Sequence, residues 1–433
     1  MLKINQFNSY LCTLNTSHRM RKAENTTVWG ITAFLVLFFI NTGNAQNTIS
    51  AKYQRIGINA ITTAVPFLLI APDARAGSMG DAGVASPADA NSAHWNASKL
   101  AWIDKKVGFS LSYTPWLHAL VPDIHLAYLS GYNKIDKNQA ISASLLYFSL
   151  GSITFTDANG QDIGSFTPNE FAVDLAYARK MSKYFSGGLA LRYINSNLTG
   201  GIVVENTTPS KAGRAVAADI SALYQNTELK VSGKKSRLAA GINISNMGNR
   251  ISYTQTGNRD FIPTNLKLGG SLTLDLDQYN SLSFNLDWNK LLIPTPPKYL
   301  LDSNNKVVVD ADGNKVIDKG KNPNVSVASG IAQSFYDAPG GMKEELREFT
   351  HSFGMEYWYD KQFALRAGFF YENPTKGNRK YITVGAGLKL NVFGLDFGYL
   401  IPLEQRNPLE NTLRFSLLFD FDAFKSQNKP EGE

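Results

Sequence analysis

The residues that could carry out catalysis in this chain are few and scattered. Beyond the first 45 residues the histidines are His94, His118, His125 and His351. Nucleophilic catalysis needs a base within hydrogen-bond reach of a nucleophile and an orienting group. His351 precedes Ser352, and Asp123 shares a strand face with His125, but neither pairing completes such a set. We therefore expect no catalytic residue and no enzymatic activity.

One acidic cluster resembles a calcium loop. It comprises Asp310, Asp312, Gly313 and Asn314. An EF-hand loop has glycine at its sixth position and glutamate at its twelfth. Counted from Asp310, glycine is fourth and the twelfth residue is Lys321. We favour a β-hairpin in which 307–310 pairs with 315–318 across the Asp-Gly turn, and we predict no metal site and no cofactor.

Composition excludes several classes of protein. The chain has 433 residues, of which 43% are hydrophobic and 18% charged, so it does not resemble a disordered chain. No run of about 20 apolar residues is present, which excludes a bundle of membrane-spanning helices. The single cysteine, Cys12, excludes a disulfide framework. The net charge of +7 is spread along the chain and does not indicate nucleic-acid binding.

The first 45 residues are typical of a secretory signal peptide. Lys3, Arg19, Arg21 and Lys22 precede the apolar run 28–40, which ends at a small-residue pattern closing at Ala45. The alternative is an interfacial or buried helix. We expect an exported protein whose mature chain begins at Gln46.

From residue 105 onward, apolar residues alternate with small or polar ones, which is the period of β-strands with two unlike faces. Most of the segments are about ten residues long, the length of a tilted strand that crosses a bilayer. The fourteen predicted segments lie near 105–113, 123–132, 138–149, 170–179, 185–195, 215–226, 236–245, 263–276, 281–290, 350–359, 363–372, 380–390, 393–400 and 411–421.

Two architectures fit this alternation. In a soluble sandwich the apolar rows would face a core, whereas in a membrane barrel they would face lipid. Uniform strand lengths, tyrosine and tryptophan at segment ends, and a last strand ending in Phe419 and Phe421 favour the barrel. Its interior would then receive the polar face, which carries Asp174, Arg192, Asp219, Asp275, Asp287, Glu356, Arg366, Lys389, Asp396 and Arg414.

The lengths of the connections predict the topology. Connections after even-numbered segments are short and those after odd-numbered segments are mostly long, as on the periplasmic and extracellular sides of outer-membrane barrels. We predict an all-β fold, a 14-stranded antiparallel transmembrane β-barrel at 105–424 with a periplasmic tail at 425–433. The 59-residue connection 291–349 is too long for an idle loop, so we expect it to be ordered and to cap the barrel or contact a partner.

Residues 46–104 do not show the strand pattern. The stretch 73–103 is rich in glycine, alanine and serine, which allow the backbone to pack closely. We predict that 46–104 forms an N-terminal hatch, or plug, in the barrel lumen.

This stretch resembles the N-terminal signature of the PorV family of the type IX secretion system, within the FadL-like superfamily of long-chain fatty acid transporters. The segment 167–180 (TPNEFAVDLAYARK) resembles the same family. Where the superfamily usually has Asn-Pro-Ala, this chain has Asn96-Ala97-Ser98. The residues that carry the hatch motif are Arg75, Gly77, Gly80, Asp81, Gly83, Trp95, Asn96 and Leu100.

The resemblance implies an integral outer-membrane protein that takes part in protein export. Family members bind the translocon barrel (SprA/Sov), take secreted cargo by its C-terminal signal domain, and deliver it to a sortase complex containing PorU. The resemblance also leaves an alternative, a FadL-like transporter of hydrophobic small molecules whose hatch gates a lateral exit. Outer-membrane lipids are expected around either protein.

The extracellular connection 114–122 (TPWLHALVP) is apolar, and exposed apolar patches usually mark interaction sites. The alternative is that it folds inward over the barrel mouth. We predict partner binding through Pro115, Trp116, Leu117, Leu120 and Val121.

Overall fold

Fourteen antiparallel strands close into a barrel in the computed structural model, which describes residues 58–117, 121, 123–156, 161–198, 200, 210–254, 259–303, 307–404 and 407–421. The barrel strands in chain order are β1 (Val107–Pro115), β2 (Ile124–Lys134), β3 (Gln139–Leu150), β6 (Asn169–Lys180), β7 (Phe185–Asn197), β8 (Gly213–Val231), β9 (Lys234–Gly248), β10 (Asn265–Asp275), β11 (Asn280–Leu291), β14 (Thr350–Tyr359), β15 (Phe363–Tyr371), β16 (Lys380–Lys389), β17 (Phe393–Pro402) and β18 (Leu413–Asp420). Each overlaps one predicted segment, so the predicted barrel is confirmed. The signal peptide 1–45 and the tail 425–433 lie outside the described residues.

The barrel closes where β1 pairs with β18. The ladder runs from Gly108 opposite Asp420 to Tyr113 opposite Phe415. On the outer face, the ring of Phe109 stacks on Phe419 with centroids 4.5 Å apart and on Phe421 at 5.4 Å. Closure leaves no strand edge with unpaired amides, which is the condition for crossing a bilayer with strands.

The two faces of the wall separate by polarity in the sense that a membrane barrel requires. On the outer face, Leu175 and Leu191 are 63% and 64% exposed. On the inner face, Asp174 and Arg192 are buried and paired at 2.6 Å. A soluble sandwich would bury the leucines instead, so that alternative is excluded.

Two of the ten polar residues predicted to face the lumen differ from the others in their solvent exposure. Asp275 and Lys389 are exposed, whereas the remaining eight are buried. Asp275 ends β10 and Lys389 ends β16, so both reach past the short-turn rim into water.

The largest departure from the predicted boundaries is at β8 and β9. The predicted connection 227–235 shrinks to a turn at Ser232 and Gly233, both of which have positive φ. The paired strands extend beyond the predicted ends, and the ladder shifts register between Asn226 and Leu229. This irregularity interrupts the alternation that sequence analysis follows.

Two long connections contain structure that the sequence pattern did not predict. β4 (Ile153–Thr156) and β5 (Asp162–Phe166) form a separate hairpin, and β12 (Lys298–Tyr299) pairs with β13 (Ile317–Lys319). The 59-residue connection also holds an α-helix at Val327–Gln333, a second at Met342–Glu345 and a 3-10 turn at Leu346–Glu348.

The acidic cluster forms the favoured hairpin turn. The amide of Asp310 donates to the carbonyl of Asn314 at 2.8 Å, and Val309 bridges to Lys315. The carboxylate of Asp310 accepts from the amides of Asp312 and Asn314 at 3.0 and 2.8 Å. The carboxylate oxygens therefore serve the turn itself.

None of the helices in the described residues has the length and hydropathy to traverse a bilayer.

Lipid exposure of the outer wall can be tested at Leu175. Leu175→Arg places a guanidinium in the hydrocarbon region and should lower the free energy of unfolding by about 2–4 kcal/mol, measured by urea titration in lipid vesicles. The matched control is Leu346→Arg, because Leu346 is 64% exposed but lies on an extracellular loop. Equal stability of the two variants would contradict the assignment of the wall to lipid.

Candidate functional site

The described part of the predicted hatch, residues 58–104, is called the hatch segment below. It forms a 3-10 turn at Pro66–Leu69, short α-helices at Ala74–Gly77 and Ser92–Trp95, and a 3-10 turn at Ala97–Trp102. The carboxylate of Asp73 caps the first α-helix by accepting from the amide of Ala76 at 2.8 Å. Its other oxygen accepts from the Trp95 indole at 2.6 Å, which joins the two helices.

Strands from opposite sides of the barrel bind the hatch segment, so it lies in the lumen. The bonds join the Ala74 amide to Ser416 on β18 at 2.9 Å, the Gly80 amide to Thr383 on β16 at 2.8 Å, the Gly83 amide to Asp287 on β11 at 2.7 Å, Asn243 on β9 to the Trp95 carbonyl at 3.0 Å, and Ser130 on β2 to the Ala90 carbonyl at 2.8 Å.

A buried network of charges anchors Arg75 to the wall. Its guanidinium binds both carboxylate oxygens of Glu356 at 2.9 and 2.8 Å and also Asp89 at 2.8 Å. Glu356 is shared with Arg366 at 2.8 Å, and Arg366 continues to Asp396 at 2.7 Å. Within this network each charge is met by an opposite one, so these buried groups are paired. The glutamate partner is 281 residues from Arg75 in sequence, so no local pattern could have indicated it.

The glycines of the hatch motif lie where neighbouring atoms leave no room for a side chain. A Cβ on Gly83 would lie 2.3 Å from the indole of Trp95. Gly80 has a φ of +67°, and a Cβ there would lie 2.6 Å from the carbonyl oxygen of Phe369. A Cβ on Gly77 would lie 2.6 Å from Cδ of Arg414. The hatch motif is therefore a requirement of close packing against β15, β18 and the segment itself.

The remaining motif residues also bond within the lumen. Asp81 accepts from the hydroxyl of Tyr381 at 2.6 Å, and Leu100 is fully buried. Asn96 accepts from the amide of Ser98 at 3.0 Å and donates to the carbonyl of Val84 at 3.1 Å. Side-chain hydrogen bonds thus hold this turn, where the superfamily usually has a proline.

The three described histidines lie in separate places. His94 is buried between the rings of Trp95 and Tyr128, and burial, with Lys267 and Arg192 nearby, holds its pKa well below the usual value. His125 and His351 lie beside tyrosine rings on the outer face. His351 is exposed while Ser352 is buried on the opposite face of β14, so the strand separates this pair. His118 lies outside the described residues.

The apolar loop after β1 is partly folded back onto the barrel. Trp116 and Leu117 are half-buried against a cluster formed by Phe370, Tyr381, Leu400 and Leu409. Pro115 ends β1 and is half-buried, and Val121 is 37% exposed. Leu120 lies outside the described residues. The loop therefore combines packing at the mouth with an exposed apolar edge.

Ion pairs fasten the 59-residue connection to the barrel mouth. Lys290, at the end of β11, binds Glu345 at 3.0 Å and Glu348 at 2.5 Å. Lys376, in the connection after β15, binds Glu348 at 2.9 Å and Glu344 at 2.7 Å. This buried group orders the extracellular surface, and the sequence pattern did not predict it.

A cavity of about 720 Å³ opens at this same mouth. Its walls include Pro66 of the hatch segment, Tyr253, Pro294 and Arg250. The Arg250 guanidinium lies 4.3 Å from the centre of the Phe261 ring and donates to Asn324 at 3.1 Å.

The sequence model of the family described as "Type IX secretion system protein PorV" matches residues 52–298. The chain belongs to the PorV family. It is accordingly a type IX secretion system protein and an integral protein of the outer membrane. A search of curated protein sequences finds no significant match.

Several solved structures are similar to this chain at low identity. The toluene transporter TodX of Pseudomonas putida matches with 11% identity and a TM-score of 0.47, covering 84% of this chain and 99% of that one. A FadL homologue of Pseudomonas aeruginosa matches with 12% identity and a TM-score of 0.41, covering 84% and 99%. The Ralstonia pickettii toluene transporter TbuX matches with 11% identity and a TM-score of 0.41, covering 84% and 97%.

The Arg75 network should contribute strongly to stability. Arg75→Gln removes the cation of the half-buried Asp89 and one of the two cations of the buried Glu356. It should lower the free energy of unfolding by about 3 kcal/mol, measured by urea titration of the refolded protein in vesicles. Lys183→Gln is the matched control, because Lys183 and Glu228 form an exposed pair at 2.6 Å whose loss should not change stability measurably. If the two variants lower the free energy of unfolding by similar amounts, burial of the network does not matter for stability.

Asp73 should make the hatch segment sensitive to pH. Burial, and secondly the nearby Asp89 carboxylate, raises the pKa of Asp73 from 3.8 to about 6. Because the folded-state pKa is above the unfolded one, the folded protein gains stability as pH falls from about 6 toward 4. Asp73→Asn removes this titration, so between pH 8 and pH 4 the wild type should gain about 2.4 kcal/mol relative to the variant. If the difference in unfolding free energy between the wild type and the variant is the same at pH 8 and at pH 4, the raised pKa of Asp73 is refuted.

Proposed function

We propose that this protein is a non-enzymatic carrier of secreted proteins at the outer membrane. It binds the translocon barrel (SprA/Sov-like), takes cargo by its C-terminal signal domain, and delivers it to a PorU-like sortase for attachment at the cell surface. Membership of the PorV family supports the assignment to this secretion system.

The observation that carries the proposal is the filled lumen. Hydrogen bonds from strands around the barrel reach the hatch segment, and the Arg75 network ties it to β14. A closed barrel with such a plug has no room for a folded protein to pass. A carrier that holds cargo outside the lumen therefore fits the geometry better than a protein-conducting pore.

Exposed apolar side chains on the extracellular side supply the surface that such a carrier needs. Beside Val121, the 59-residue connection exposes Leu301 at 52%, Val309 at 57% and Tyr336 at 57%. The buried ion pairs of Lys290 and Lys376 hold this connection in place, so the apolar residues are presented on a fixed support. Rigid presentation lowers the entropic cost of binding a partner.

The function can be tested by pull-down from detergent-solubilised outer membranes, followed by mass spectrometry. We expect the tagged wild type to retain the translocon barrel and cargo with C-terminal signal domains. A lipid-like molecule in the lumen with no protein partner would instead support the alternative, a FadL-like transporter of hydrophobic small molecules.

Two variants assign the binding surface. The triple variant Trp116→Ser, Leu117→Ser, Val121→Ser should lose most of the bound translocon, and Val307→Ser with Val309→Ser tests the hairpin of the long connection. Leu191→Ser is the matched control, because it removes an exposed leucine from the lipid-facing wall. If both loop variants fold and retain every partner, these surfaces are not the docking sites.

A further inference from the structure

The lipid-facing wall of the barrel contains a concave apolar groove. It has a volume of about 900 Å³ and crosses the outer faces of β1, β2, β3, β6, β7 and β8. It lies toward the short-turn rim, because Val107, Asn133 and Ile141, near the short-turn ends of their strands, line it. Nothing in the proposed carrier function uses this part of the wall.

The strand register explains why the wall is hollow there. One row of outward residues runs through Phe109, Gly131, Ala143, Leu175, Leu191 and Ala218. Gly131 and Ala143 lie side by side between the large side chains of Phe109 and Leu175. The outer surface of the wall is therefore recessed by about the length of one side chain in the middle of the row.

Close packing does not require the glycine at this position. A Cβ on Gly131 would have Phe109 Cβ as its nearest neighbour, at an ordinary contact distance of 3.5 Å. The glycines of the hatch motif differ in this respect, because their neighbours leave no space. Gly131 leaves space that a larger residue could fill.

The rim beside the groove is strongly basic. Its three segments, 104–106, 133–139 and 179–184, carry seven basic and two acidic residues, and one of the seven, Lys183, pairs with Glu228 at 2.6 Å. The rim segments of the other half of the barrel, 228–235, 275–280, 359–363, 389–393 and 420–421, carry five of each. Arg179 follows Leu175 and Tyr177 along the outward face of β6 and is exposed. Of the two acids, Asp104 and Asp136, the second accepts from the Asn138 amide and the Gln139 side chain.

We propose that the groove and the basic rim together bind an anionic phospholipid of the inner leaflet of the outer membrane. The short turns mark the periplasmic side, so the rim lies at the level of the phosphate groups of that leaflet. The acyl chains fill the groove over Gly131 and Ala143, and the phosphate lies near Arg179 and Lys137. A phospholipid in the bilayer has both chemical features, an acyl chain and a phosphate, at this spacing. Elsewhere the rim carries equal numbers of acidic and basic residues, so it gives no preference for an anionic lipid.

The acyl-chain half of the site is tested by filling the groove. Native mass spectrometry of the full chain in detergent would measure retained palmitoyl-oleoyl phosphatidylglycerol. Gly131→Leu and Ala143→Leu should each reduce its affinity about tenfold, as expected when about two methylenes of the lipid are excluded from the wall. The matched control is Gly270→Leu on β10, where a Cβ would also meet open space and the lipid affinity should not change.

The headgroup half is tested by removing charge. Arg179→Gln with Lys137→Gln should cut the preference for phosphatidylglycerol over phosphatidylcholine severalfold while leaving phosphatidylcholine binding unchanged. Folding of each variant is verified by its heat-modifiable migration on gels. Equal lipid retention by Gly131→Leu and Gly270→Leu would overturn the proposal. So would loss of a protein partner from Gly131→Leu with unchanged lipid binding, because the groove would then be a protein contact.

Discussion

The structure depends first on one constraint, which is that every strand amide in the bilayer must find a partner within the protein. The β1–β18 ladder satisfies this constraint by pairing the first and last strands of the barrel, which are more than 300 residues apart in sequence. Once the sheet is closed, alternation along each strand assigns apolar residues to lipid and polar residues to the lumen. The charges collected inside then need counter-charges, and Arg75 of the hatch segment supplies one to Glu356. Closure, plug and internal ion pairs are therefore consequences of the same requirement.

The extracellular mouth follows a different logic. There the chain is in water, and the connections are long enough to build structure of their own. Lys290 at the end of β11 and Lys376 in the connection after β15 both bind glutamates of the 59-residue connection. The wall supplies rigidity, while the loops supply the variable surface on which partners of a secretion protein could be distinguished.

Much of the barrel could be predicted because a period of two is local and repeats fourteen times. The prediction was wrong where the period fails, as at the register shift between Asn226 and Leu229. The short hairpin β4–β5 and the helix Val327–Gln333 carry too few residues for any periodicity. The hatch glycines could be noticed as a motif, but their contacts could not, because Gly80 meets Phe369 and Gly77 meets Arg414 from distant strands. Pairing across the lumen arises only in the closed barrel, so no local sequence pattern indicates it.

The hatch segment also spans the seam at which the barrel closes. Its hydrogen bonds reach Ser130 on β2 and Ser416 on β18, which are the second and the last strands of the barrel in sequence. The segment therefore bridges the seam between the first and last strands, with bonds to strands on each side of it. These N-terminal residues thus help to keep the barrel shut as well as to fill its lumen.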